Sequence, residues 1–522
     1  MPDSMDCLKK LLMPASARPD KASEIAIIEA PGDRAITFAD LESLINGAES
    51  YLRQYGIKKG ERIVLTSPNS ARLAAAILAT WRLGGVCIPI DFKITAPERI
   101  NITQRLGARA LVGSTRMWPD FIDDHKALKE SSTAILDLDA IVPAVSPKDW
   151  TGDEILRGLD ADAPALVILT SGTTGMPKGA LHDLGSLCVN LVELGEMVNL
   201  TSDKRLVLPL PLSHIFGLEV TLICLLFGGT IAFSDMSPSG FISALARHKP
   251  HILVGVPTIY GAMLALPKEE AQAGLANAEV LLCGGAPLPL SLALEFERIF
   301  GKMINNGFGS TESKIIALNL DGPMESIGKH VPSVKVEIVN DDDQPLSEGE
   351  IGEIRIGGPI LMKGYVDQPE ATEKVLHRGH YHTGDIGYVK DGYIYISGRA
   401  KEMIIVAGNK VFPAEVEDVL RKNPAVKEVA VIGLPHRQLG QIVKAIVVVS
   451  EERMSELLSG DSEARKSARQ ELLASFKEYC RANLKRELRP MDWEFRPASD
   501  PLPKTSSGKV DKKKLEAVTA SH

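Results

Sequence analysis

Between Ala165 and Gly179 the chain changes character within a few residues, and that change limits the folds open to it. The run Ala165-Leu-Val-Ile-Leu169 is apolar throughout, as a buried strand is. It breaks at once into Thr170, Ser171, Gly172, Thr173, Thr174, Gly175, Met176, Pro177, Lys178 and Gly179. The glycines free the backbone to turn its N–H groups inward. The hydroxyls of Ser171, Thr173 and Thr174 add donors, and Lys178 adds a mobile positive charge. Such a loop grips an anion, a phosphate above all. Its spacing is not that of a Walker-A loop, because no Gly-Lys-Ser/Thr closes it. An ordinary Gly/Thr strand-to-helix turn is the competing reading, and it weakens as the stretch lengthens.

What surrounds the loop reads as α/β. Arg62 to Leu65 is a short apolar run, Ala71 to Leu83 carries Ala and Leu at helical spacing, and Val86 to Ile90 follows the Gly84-Gly85 break. Strand, helix and strand in that order imply a parallel βαβ unit. Ala108 to Val112 is a further strand. With 522 residues the chain exceeds one domain, and 44% hydrophobic content fills large cores. A net charge of −8 argues against a nucleic-acid face. The six cysteines are scattered without a CxxC pair, so reduced buried thiols in the cytoplasm are expected rather than zinc or disulfides. The N-terminus lacks the apolar core of a signal peptide. Residues 215–233 are long enough to raise a membrane span. They carry Glu219 and Gly228-Gly229, and a charge at mid-membrane costs about 3 kcal/mol. A core helix followed by a strand is the expectation.

Further motifs follow in a fixed order: Pro211-Leu-Ser-His214-Ile-Phe216-Gly217, Gly284-Gly285-Ala286-Pro287, Asn306-Gly307-Phe308-Gly309-Ser310-Thr311-Glu312, Tyr381-His-Thr-Gly-Asp385, Gly398-Arg399-Ala400-Lys401, Gly408-Asn409-Lys410, and Pro503-Lys-Thr-Ser-Ser-Gly-Lys509. With the Gly/Thr loop, this series resembles the adenylate-forming superfamily of acyl-CoA synthetases, aryl-CoA ligases, luciferases and peptide-synthetase adenylation domains. The resemblance runs from roughly residue 20 to residue 516.

That resemblance implies roles. Residues 170–175 and Lys178 would hold the phosphates of ATP. Gly284, Gly285 and Ala286 would form a side-chain-free wall for adenine, with Asn306, Gly307, Phe308, Gly309, Ser310 and Thr311 opposite and Phe308 as the stacking ring. Glu312 would hold Mg²⁺, a hard cation that prefers carboxylate oxygen. Asp385 would accept from both ribose hydroxyls, and Arg399 would reach nucleotide oxygens. His214 matches a position that lines the acyl pocket and gates the thiol. Phe216, Val220, Gly255, Tyr260 and Lys314 are expected beside it. Lys314 reads equally as a partner for a second polar group on the substrate or as a surface lysine with an immersed stem. Amino-acid-activating relatives carry an aspartate shortly after the matching motif. Ile215 to Leu218 offer none here, so the acid should lack an α-amino group.

Beyond residue 333 the pattern shifts to period-two strands, implying a small antiparallel, barrel-like unit. The expected organisation is a large N-terminal domain over residues 1–398 with βαβ-type sheets and that subdomain, a hinge over 399–401 centred on Lys401, and a small mobile α+β domain over 402–522. Gly408 and Asn409 would meet coenzyme A, Lys410 would approach the adenylate, and Lys509 would enter the site for adenylation. Ile405 departs from the lysine of plant aryl-CoA ligases. His436 and Gln441 replace acidic residues and read as surface variation. The implied function is an AMP-forming carboxylic acid:CoA ligase, a monomer or homodimer, with ATP, Mg²⁺ and coenzyme A. The rivals are a stand-alone adenylating enzyme that loads an acyl carrier protein and a non-catalytic nucleotide sensor. About a dozen residues follow Lys509, so no fused carrier domain is expected.

Overall fold

The computed structural model describes residues 4–145, 156–170, 177–235, 237–450, 462–504 and 510–520. Residues 171–176 and Lys509, both central to the sequence reading, lie outside the described residues. Among the described residues the strands form four sheets.

The first sheet runs in the order Gly364–Tyr365, Gly179–Asp183, Pro164–Leu169, Val86–Pro89, Arg62–Thr66, Ala110–Gly113, Ala134–Asp137. Its centre is parallel, with Ile63 opposite both Cys87 and Ala110. The expected βαβ unit is there: Ser70 caps the helix Ala71–Arg82 by accepting from the Leu73 N–H, and its alanines let it lie close to the helix Phe38–Gln54. Trp81 is fully buried and donates from Nε1 to the Ala165 carbonyl at 2.8 Å, which ties this helix to the strand entering the Gly/Thr loop. Removing so large a buried ring typically costs about 3–5 kcal/mol.

The competing reading of the loop, a strand-to-helix turn, does not hold. The loop does not lead from strand to helix. It joins Pro164–Leu169 to the antiparallel strand Gly179–Asp183, with Leu169 opposite Gly179 and the Thr170 N–H donating to the Lys178 carbonyl at 2.8 Å. The helix Leu184–Met197 begins only after that strand, capped by Asp183. Helical composition does return after the loop, but five strand residues intervene.

The second sheet runs Lys329–His330, Lys314–Leu318, Asn305–Ser310, Val280–Cys283, Ile252–Gly255, Arg205–Leu208, Thr230–Phe233, Ile25–Glu29, Arg34–Thr37. Strand alternation sends its side chains into two layers. Ile252, Val254 and Leu282 join the main core with the helix Ile215–Phe227, whereas Leu253, Leu281 and Cys283 face the helices Pro257–Leu264 and Leu290–Phe300. Residues 215–233 form the expected buried helix and strand, and no helix among the described residues is long and apolar enough to cross a membrane.

The third sheet is antiparallel: Lys335–Val339, Gly352–Gly357, His380–Lys390 and Leu376–His377, with Tyr393–Arg399 on His380–Lys390. The fourth belongs to the small C-terminal unit and has its own core. Its strands are Asn409–Val411, Ile404–Val406, Gly440–Val449 and Val426–His436, with Asp492–Arg496 added in parallel. All six cysteines are buried and free.

Candidate active site

Parallel strands deliver their C-terminal ends to one edge, where loops can meet a ligand. Val280–Cys283 and Asn305–Ser310 are neighbours, with Cys283 opposite Asn306, so Gly284 and Gly307 emerge side by side. A Cβ on Gly284 would stand 3.0 Å from the Phe216 ring and 3.3 Å from the Gly307 carbonyl. A side chain there would press on the Phe216 ring and the Gly307 backbone. Gly285, at φ +74°, turns the chain away toward Ala286. Phe308 is half-buried against the main core. The fold therefore brings Phe216, Gly284 and Gly307 together.

The segment 310–312 is the point where three sheets meet. The His182 Nε2 of the first sheet lies 2.8 Å from the Thr311 carbonyl, and the Met362 N–H donates to the Glu312 carbonyl at 2.8 Å. Tyr365, also on the first sheet, donates its hydroxyl to Glu312 Oε1 at 2.7 Å. From the third sheet, the buried Tyr381 hydroxyl lies 3.4 Å from Ser310 Oγ, which accepts from the Glu312 N–H at 3.2 Å. Lys178 closes the group, its ammonium 4.7 Å from the centre of the Tyr365 ring. Tyr365 thus joins the two charged residues that the sequence reading singled out. It was missed there because nothing in Gly364-Tyr365-Val366 marks a site. Its hydroxyl is pushed well above the usual tyrosine range, by burial first and by the Glu312 charge second, so it acts as a donor.

Asp385 and Arg399 are directly opposite in the third sheet, and Arg399 Nε stands 2.9 Å from Asp385 Oδ1. The two residues expected on the nucleotide are therefore paired with each other. Thr383 Oγ1 accepts from the Asp385 N–H and fixes the turn.

His214 stands exposed at the N-cap of the helix Ile215–Phe227, two residues before Phe216. One turn further, Val220 borders a small void with Leu194, Leu206, Ile223, Leu282 and Ile315, all apolar. Three expected pocket residues are elsewhere. Gly255 faces the opposite layer by strand alternation, and Tyr260, on the helix Pro257–Leu264, packs into that same layer; its hydroxyl donates to the Leu282 carbonyl at 2.7 Å and its ring packs edge-on to Phe296. Lys314 is fully buried, with its ammonium on Ser186 Oγ and the Ile360 carbonyl, so it is neither a surface lysine nor a pocket wall. Burial pushes it down to about 8 despite Glu219 nearby, and burial pushes Glu219 up to about 8 despite Lys314.

In the C-terminal unit, Gly408 and Lys410 are exposed and Asn409 donates to the Val406 carbonyl. Lys410 is not brought to the Lys178 group; it lies 3.9 Å from Asp341. His436 and Gln441 are more than surface variation. His436 Nδ1 accepts from the Leu439 N–H, and Gln441 Oε1 accepts from the Ile405 N–H, which pins the strand beside the Gly408 turn. Lys401 lies in the short 3₁₀ turn Ala400–Glu402 between the two units.

For Mg²⁺ the residues present fit. Among the described residues Tyr365 is the side-chain donor to the Glu312 carboxylate and takes Oε1, which leaves Oε2 for a hard cation.

The model of the AMP-binding enzymes matches residues 14–366, and that of the AMP-binding enzyme C-terminal domain matches residues 415–509. A feruloyl-CoA synthase from Amycolatopsis sp is 34% identical over 490 residues, covering 92% of this chain and 93% of the relative. The long-chain-fatty-acid–CoA ligase FadD13 of Mycobacterium tuberculosis is 31% identical over 505 residues, covering 93% of each. Among solved structures, ATP-bound MatB from Rhodopseudomonas palustris superposes with a TM-score of 0.82 at 26% identity, over 98% of each chain. O-succinylbenzoate CoA synthetase from Bacillus subtilis, solved with ATP and magnesium, gives 0.79 at 26% identity, over 97% of this chain and 99% of that one.

Proposed function

The chain belongs to the family of AMP-binding enzymes, and on that premise we propose that it is an ATP-dependent, AMP-forming carboxylic acid:CoA ligase. The observation that carries the site assignment is the convergence of Lys178, Tyr365 and Glu312 beside the glycine edge of the second sheet. ATP would lie with adenine between Gly284-Gly285-Ala286 and Phe308, its ribose on Asp385 and its phosphates on the loop that ends at Lys178.

In the first half-reaction a substrate carboxylate oxygen attacks the α-phosphorus and pyrophosphate leaves, giving an acyl-adenylate. Two anions approach while charge grows on the bridging oxygen, so fixed cations are needed. Lys178 and an incoming Lys509 supply them, and losing one such group typically costs about 2.7–4 kcal/mol. Mg²⁺ on Glu312 would screen the phosphate charges. In the second half the coenzyme A thiolate attacks the acyl carbon and AMP leaves. Rotation about Lys401 would withdraw Lys509 and bring Gly408 and Asn409 to the channel that His214 borders. The acids in the names of the feruloyl and long-chain relatives support an acid with an apolar body. Buried free thiols support a reducing, cytoplasmic location.

The test uses both halves. Lys509→Ala should abolish ATP–pyrophosphate exchange while largely sparing thioester formation from a supplied acyl-adenylate, and equal loss of both would refute the alternating scheme. Product formed with free coenzyme A identifies the ligase; transfer only to a phosphopantetheinyl protein identifies the carrier-loading rival.

A further inference from the structure

Away from the nucleotide groups, His377, His382 and Asp343 bring one ligand atom each within 4.8 Å of one another. The reaction proposed above uses none of them. The two imidazole rings stack, 4.3 Å apart at their centroids and 11° between planes, and Asp343 Oδ1 lies 3.6 Å from His382 Nε2. Both rings are oriented in the same way. Glu353 Oε2 stands 3.0 Å from His382 Nδ1, and the Glu373 carbonyl stands 3.2 Å from His377 Nδ1. An oxygen acceptor at Nδ1 holds the proton there and makes Nε2 the lone-pair donor, the arrangement by which outer carboxylates and carbonyls orient metal-binding histidines. His382 Nε2 is buried and has no hydrogen-bond partner among the described residues.

The charges nearby are mixed. Arg355 donates to Asp343 Oδ1 at 2.6 Å, and Arg378 stands 3.9 Å from Oδ2. Arg355 is also taken by Glu337 at 2.8 Å, and Glu353 adds a further negative charge behind His382. A carboxylate has lone pairs beyond those one arginine occupies, so Asp343 can serve both.

We propose that His377 Nε2, His382 Nε2 and a carboxylate oxygen of Asp343 form a binding site for one borderline divalent transition-metal ion, with water completing the coordination. Two imidazoles and a carboxylate suit Zn²⁺ and its neighbours, and do not suit Mg²⁺. Ligands about 2.0–2.1 Å from one ion lie roughly 3.4 Å apart, so binding would draw the widest pair inward by at most about 1.4 Å. The ion would clamp the turn after Lys335–Val339 to the strands Leu376–His377 and His380–Lys390. The second of these carries Asp385, three residues beyond His382. The site is distinct from the Mg²⁺ position at Glu312 and stands whether or not the ligase reading does.

Tag-free, full-length protein loaded with ZnCl₂ and dialysed against metal-free buffer should retain about one equivalent by mass spectrometry of the metal, and Co²⁺ in its place should give visible d–d absorption. His377→Ala should weaken Zn²⁺ binding at least about tenfold while leaving AMP binding unchanged. Asp343→Asn is the second variant and should do the same to Zn²⁺ retention, with circular dichroism checking its fold. Failure of the wild type to retain the ion overturns the proposal, and so does equal retention by the wild type and both variants.

Discussion

Two side chains show how a single residue's surroundings set its role. Tyr365 holds Glu312 by one hydrogen bond and faces Lys178 with its ring. Tyr365→Phe keeps the ring and removes the donor. A hydrogen bond to a charged group contributes roughly 1.5–3 kcal/mol, so pyrophosphate exchange should fall about tenfold or more, with a raised Mg²⁺ requirement. An exchange rate unchanged across a Mg²⁺ titration would remove Tyr365 from the site. Glu219 makes a different point. Its carboxyl, raised to about 8 from 4.5, keeps its proton in the folded protein over a range where the unfolded chain has lost it. Its stabilisation is complete below pH 4.5 and is lost as pH rises through about 8. Lys314, lowered from 10.5 to about 8, contributes above 10.5 and loses that contribution as pH falls through about 8. Between pH 5 and 8 Glu219 sets the slope. Glu219→Gln should therefore gain stability relative to the wild type as pH rises, by at most about 1.4 kcal/mol per unit. Urea midpoints at pH values of about 5.5 and 7.5 would read this difference, and the opposite sign would disprove the assignment.

At the scale of elements, the hairpin of Asn305–Ser310 and Lys314–Leu318 carries the metal-binding candidate, and its tightness comes from backbone against backbone. A Cβ at Gly309 would stand 2.2 Å from the Lys314 carbonyl oxygen, and Lys314 itself has φ +62°. Gly309→Ala should cost more than about 2 kcal/mol and weaken AMP binding, because neither strand can yield without shifting Glu312. Calorimetric titration with AMP and urea unfolding would measure both effects. Strands and helices of this kind were legible in the sequence: Arg62–Thr66 and Ala71–Arg82 fall where the apolar run and the helical spacing place them. The partner of the Gly/Thr loop was not legible. Gly179–Asp183 is only five residues long and runs straight into the helix Leu184–Met197, so local pattern gives the longer element the whole stretch.

For the molecule as a whole, the question is how the two units communicate. Lys401 lies between them, and the helix Lys512–Ala520 reaches back through Lys512 to Glu402 at 3.4 Å and Glu417 at 2.8 Å. The flanks of residue 509 are held on the C-terminal unit: Lys504 pairs with Glu428 at 3.0 Å, and Leu502 and Leu515 pack with Ala430 and Ile446. A rotation of that unit would therefore carry these flanks with it. Lys401→Pro should stiffen the turn, sparing pyrophosphate exchange while depressing thioester formation, and unimpaired overall turnover would remove the hinge assignment. The sequence by itself determined the candidate groups: the glycines, hydroxyls and Lys178 of the loop by residue chemistry, and Glu312, Asp385 and Lys509 by the resemblance their motifs carry. Only the tertiary structure decided which of them meet. Tyr365 came to Glu312 because two sheets abut at residues 310–312, Tyr260 went with its helix into the layer of Phe296, and Lys314 was buried against Ser186 and Ile360. Those contacts join positions tens to hundreds of residues apart, and a local pattern carries no information about what will be packed against it.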